Sequence, residues 1–143
     1  MAFTNRVGNK TGIGFGNIVL ASAVPVSLAA TGNAVVTLPV DATSYIIRRI
    51  TVSNPANTAG GTVPNVAAAN IAVITSSDGN TSNAVAALQT IGNVTAANTY
   101  QDLALAAGTL TSSYTAGALF VRVGVAVANA SVQIEVFGDV VNV

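Results

Sequence analysis

The side chains able to do chemistry are few, and their types restrict what they can do. The 143 residues contain no histidine and no cysteine; five acids (Asp41, Asp78, Asp102, Glu135, Asp139) face five bases (Arg6, Lys10, Arg48, Arg49, Arg122). Without imidazole or thiol, and with Lys10 as the lone amine, Ser-His, Cys-His and most Ser-Lys nucleophile pairs have no parts to be built from. Carboxylate pairs remain. Glu135 and Asp139 share one face of a strand but stand roughly 13 Å apart by strand rise, beyond the ~5–9.5 Å that glycoside hydrolysis requires. Asp41, Asp78 and Asp102 are separate in sequence, and a small hydrolase would need the fold to bring them together. Turn aspartates are the ordinary reading of each, so the chain is expected to be no enzyme.

Cofactor signatures fail in the same way. Asp78-Gly79-Asn80 begins like a calcium loop, but Asn83 stands where that loop needs glycine and Gln89 where it needs a bidentate glutamate. A tight turn is expected instead. Gly12, Gly14 and Gly16 lack both the third glycine of a dinucleotide fingerprint and the Gly-Lys pair of a phosphate loop. No metal or cofactor is expected. A glycan site would lack tryptophan for stacking and have only Tyr45, Tyr100 and Tyr114.

The elements that position these residues read as strands. Short β-branched or alternating runs occupy 18–26, 34–38, 45–52, 71–76, 103–106, 118–127 and 132–141. Turn-forming clusters separate them: Thr31-Gly32-Asn33, Asn54-Pro55, Ala59-Gly60-Gly61, Asp78-Gly79-Asn80 and Ala107-Gly108. The one rival helix is 83–91, with Ser82 or Asn83 as its cap and Gly92 as its end. Seven or more strands without long interleaved helices predict an all-β fold, an antiparallel β-sandwich of jelly-roll-like form spanning 18–143 as a single domain. Residues 1–17 read as an extended N-terminal arm, because each interior glycine costs a helix about 1 kcal/mol relative to alanine.

Two segments carry specific expectations. Alternation in 118–127 places Leu119, Val121, Val123, Val125 and Val127 on one face, and in 131–140 it does the same for Val132, Ile134, Val136 and Val140. Joined as a hairpin, the two runs would pair Val127 with Val132, Val125 with Ile134 and Val123 with Val136. Arg122 would then lie opposite Phe137, with Glu135 and Asp139 as diagonal neighbours. In 44–54 the adjacent Arg48 and Arg49 must point to opposite faces unless a bulge intervenes. One of them either snorkels at the sheet edge, pairs with Asp102 or Asp41, or meets a neighbouring subunit.

Composition points to the kind of partner. Half the chain is hydrophobic, only 7% is charged and the net charge is zero, so the surface must be clad in amides, hydroxyls and small apolar groups. Such a surface favours self-association, here expected as a dimer or trimer. The balance of charge gives no reason to expect nucleic acid. The mean hydropathy of +0.63 does not imply a membrane span, since no run approaches ~18 consecutive apolar residues. Ile18-Val19-Leu20 after Arg6 and Lys10 is too short for the core of a secretory signal. Phe3 and Phe15 as apolar anchors, Arg6 and Lys10 as cations of the arm, and Arg48 and Arg49 on the domain are the candidate interface residues.

In this layout SYIIRRITVSNPANTAGG (44–61), QDLALAAGTLTSSYTAGALFVRV (101–123) and ASVQIEVFGDVV (130–141) resemble the capsid cement, or head-decoration, proteins of tailed bacteriophages with a jelly-roll fold. The resemblance covers about half the chain through composition and order. It implies a virion structural protein, made in the bacterial host cytoplasm, that binds the major capsid protein on the outer shell at capsomer contacts and stabilises the shell. A phage tail-fibre or baseplate module, or a surface adhesin, binding host glycans is the alternative.

Overall fold

The computed structural model describes residues 18–39 and 43–141. The arm 1–17, with Phe3, Arg6, Lys10 and Phe15, and also Asp41, lie outside the described residues. Among the described residues eight strands follow in order: β1 (Ile18–Ser27), β2 (Gly32–Pro39), β3 (Tyr45–Asn57), β4 (Asn70–Ile74), β5 (Ala84–Thr90), β6 (Tyr100–Asp102), β7 (Ala118–Val125) and β8 (Ala130–Val140). They form two antiparallel four-stranded sheets, β1-β8-β3-β6 and β2-β7-β4-β5. The pairings nest: β1 with β8, β2 with β7, β3 with β6, β4 with β5. That is the order of a jelly roll, a long hairpin folded over itself into a sandwich.

Between the sheets lies one apolar core. Ile47, Ile50, Val52, Val132, Ile134 and Val136 of the first sheet face Ile71, Val73, Leu119, Val121 and Val123 of the second, all buried. Tyr45 joins them, fully buried, and its hydroxyl donates to the Ala116 carbonyl at 2.6 Å. Burial, with Tyr114 alongside, pushes its phenol up to about 12. The polar residues so abundant in the sequence serve the turns. Backbone N–H groups of Ala59, Ala67, Asn80 and Ser82 donate to the side chains of Asn57, Asn65, Asp78 and Asn80, each two residues earlier.

The expected hairpin of 118–127 and 131–140 does not form. β7 and β8 belong to opposite sheets, so Val123, Val132, Ile134 and Val136 are buried together by facing one another across the core. Alternation states which side chains turn inward; it does not state which strand is the neighbour. Val125 departs further, at 47% exposed. On β7 the register with β4 skips Gly124, passing from Ile71↔Val123 to Asn70↔Val125. A bulge there turns Val125 onto the outer face.

The rival helix at 83–91 is strand β5 instead, preceded by a single 3-10 turn (Thr81–Asn83) that Asn80 caps. Its Ala-rich run favours helix weakly, and pairing with β4 outweighs that preference. Asn54-Pro55, read as a strand end, is a bulge inside β3: the register passes from Ser53↔Gln133 to Ala56↔Ser131, and Asn54 adopts φ 50. The expected strand at 103–106 lies just beyond β6, in the connection leading to a second 3-10 turn, Thr109–Thr111.

Candidate functional site

The two arginines of β3 show how the fold handles charge. Register with β8 runs from Ile47↔Gly138 directly to Arg49↔Phe137, so Arg48 is the extra residue of a bulge. Two consecutive side chains thereby avoid the core, with Ile47 and Ile50 buried on either side of them. Arg48 Nε donates to Asp139 Oδ2 at 2.7 Å and its Nη1 to the Leu110 carbonyl at 2.9 Å. Arg49 stacks on Phe137, its guanidinium carbon 4.5 Å from the ring centroid, and stands 3.9 Å from Asp102. Of the carboxylates considered as partners, Asp102 is therefore met by Arg49, while Arg48 takes Asp139. Arg122, expected opposite Phe137, faces Ala72 of β4 and donates from Nη1 to the Gly79 carbonyl at 2.7 Å.

Charge is concentrated on one face. Arg48, Arg49, Asp102, Glu135 and Asp139 all lie on the outer side of the first sheet, where Thr51 sits between Asp102 on β6 and Glu135 on β8. The Thr51 hydroxyl donates to Asp102 Oδ1 at 2.6 Å. Glu135 has neither hydrogen bond nor ion pair among the described residues. The outer side of the second sheet carries Ala72, Ile74, Phe120, Gly124 and Val125, with Arg122 as its cation. Leu88 of β5 reaches over β4, so that a Cβ at Gly124 would stand 2.9 Å from its methyl carbons. Leu88 and Val125 are exposed there, at 44% and 47%.

Of the three aspartates, Asp41 lies outside the described residues, and Asp78 and Asp102 sit at different sheets. Asp102 ends β6 in the first sheet, whereas Asp78 lies in the turn after β4 of the second. There the Asn80 amide and the Ser76 hydroxyl hold its carboxyl below the usual range. Among the described residues no three acids come close enough to hold a metal ion. No helix in the described residues is long and apolar enough to cross a membrane.

Three residues matter more than their types suggested. Gly138 interrupts the alternation of β8 opposite the Arg48 bulge, and a Cβ there would collide with the Ile46 carbonyl oxygen and with Leu20. A glycine inside an otherwise alternating strand is the signal that marks such a close approach. Gln89 and Gln101 use their amides as substitute backbone. Gln89 donates to the Ala104 carbonyl and accepts from the Ala104 amide, both at 2.9 Å. Gln101 donates to the Thr90 carbonyl at 2.9 Å and accepts from the Asn93 amide at 3.0 Å. These two clasps join the β5 edge of one sheet to the β6 edge of the other, covering backbone that would otherwise template aggregation.

Compared with protein-family models, with curated proteins and with solved structures, the chain matches none.

Proposed function

We propose that this chain is a non-enzymatic virion structural protein of the capsid cement type, seated on the outer surface of a phage shell at contacts between capsomers. One observation carries the reading. Apart from Glu135, every charged side chain among the described residues is engaged within the molecule, by an ion pair, a ring or a backbone group. What remains for a partner is a broad surface of amides, hydroxyls and small apolar groups on a closed sandwich. Such a surface suits extended contact with a repetitive protein wall, where many weak and well-fitted contacts add up. Arg48 and Arg49, held flat on the first sheet, suit a supporting role in such a contact better than a catalytic one. Self-association as a dimer or trimer multiplies the contacts.

The arm supplies the second half of the proposal. In this reading Phe3 and Phe15 would be its apolar anchors and Arg6 and Lys10 would face acidic groups on the neighbour, and fixing each residue of such an arm costs about 1–2 kcal/mol, which contacts with the shell or a sister subunit must offset. Electron microscopy of particles purified from the producing host, with the chain labelled, is the decisive test. Density on the outer shell between capsomers is expected; density in the tail, or bound glycan on an array, would replace this reading with the adhesin one. Deleting residues 2–16 should leave a folded domain that no longer decorates particles.

A further inference from the structure

We propose that Asn70 and Arg122 hold one buried water on the outer side of the second sheet, next to Gly124. Asn70 Oδ1 and Arg122 Nε are both buried and both without a hydrogen-bond partner. Buried polar atoms in folded proteins are nearly always satisfied, by protein or by ordered water, so two orphans on one face call for a common explanation. Arg122 stands opposite Ala72, and Asn70 lies two residues along β4 on the same face, beside the Gly124 bulge. Cross-strand positions in that diagonal relation are typically about 7–8 Å apart at Cα, a span that one small group can fill.

The chemistry of the two atoms selects the occupant. A guanidinium nitrogen can only donate and an amide oxygen can only accept. A bridge must accept one hydrogen bond and donate another, which excludes simple anions and metal cations and leaves a hydroxyl or water. Arg122 cannot relieve the problem by swinging into solvent, because its Nη1 is fixed on the Gly79 carbonyl at 2.7 Å. Ala72 presents almost no side-chain bulk, and Leu88, whose methyl carbons stand over Gly124, closes the site from above. Water is thus the group that fits, with two polar partners in a small polar site. Through Arg122 it links β4 and β7 to the connection that follows β4.

A crystal structure of the full chain at about 1.5 Å should show an ordered water within ~2.7–3.2 Å of both atoms. Water-proton relaxation dispersion should count one fewer long-lived water in Asn70→Leu and in Arg122→Met than in the parent. A direct Asn70–Arg122 hydrogen bond, a dry site in the crystal, or an unchanged water count in folded variants would overturn the proposal. Should either variant fail to fold, the parent crystal decides.

Discussion

The outer face of the first sheet carries Arg48, Arg49, Asp102, Glu135 and Asp139; that of the second carries Ala72, Ile74, Phe120, Gly124, Val125 and Arg122. Both faces are built from the same two-residue alternation and cover the same core. On the first, charges neutralise one another along neighbouring strands, and a bulge lets two arginines share the solvent side. On the second, the cation is spent on the Gly79 carbonyl and the exposed side chains are Leu88 and Val125. Each sheet also has a glycine at a bulge or beside one, Gly138 on the core side of β8 and Gly124 on the outer side of β7. Gly138 is held against backbone, Gly124 only against the end of a flexible leucine. The lesson is that charge in this chain acts to pin strand pairing on one sheet, while the other sheet keeps an apolar, nearly uncharged exterior.

The two glycines provide the largest contrast. Gly138→Ala should cost more than about 4 kcal/mol, since neither the Ile46 carbonyl nor β8 can move without parting the sheet. Gly124→Ala should cost less than about 1 kcal/mol, because Leu88 can change rotamer. Urea titrations of both variants check this, and equal losses would erase the distinction between a glycine held against backbone and one held against a movable side chain. Next comes the alternation itself. Ile134→Ala is expected to lose about 3 kcal/mol from a fully buried site, and Val125→Ala less than about 0.5 kcal/mol from an exposed one. A large loss at Val125 would restore the inward position that the bulge at Gly124 takes from it.

A third test is alkaline. Tyr45 ionises at about 12 in the folded chain and near 10 in the unfolded one. Its contribution is therefore complete below pH 10 and lost as pH rises from 10 through 12, for a total of about 2–3 kcal/mol. Tyr45→Phe should lower stability at pH 7, by leaving the Ala116 carbonyl unpaired, and flatten the decline between pH 10 and 12. Chemical denaturation at stepped pH measures both.

The smallest effects belong to the charged face. Arg49→Ala should cost about 0.5–1 kcal/mol, mostly through the ring of Phe137. A double-mutant cycle on Arg48 and Asp139 should give a coupling of about 1 kcal/mol or less, because both groups retain some contact with water. Salt should reduce the second more than the first.

The chain's own pattern determined the all-β class, the inward side of most of β7 and β8, and the turns at Ala59-Gly60-Gly61, Asp78-Gly79-Asn80 and Ala107-Gly108, because alternation and turn chemistry are local. It also showed that Arg48 and Arg49 were in conflict and that a bulge was one way out. Its Ala-rich run at 83–91 was legible as helix or strand, and only the offer of a partner in β4 decided between them. Which strands pair was settled by tertiary structure alone. Val123 and Ile134 are inward in a hairpin and inward in a jelly roll, so their pattern is the same in both. The partners of the charges followed from that choice: with β7 and β8 in opposite sheets, Arg122 lost Phe137 and the carboxylates of β8, while Arg49 gained Phe137 and Arg48 gained Asp139. Register and partnership depend on distant segments meeting, and a period of two, repeated in every strand, contains no information about which segments those are.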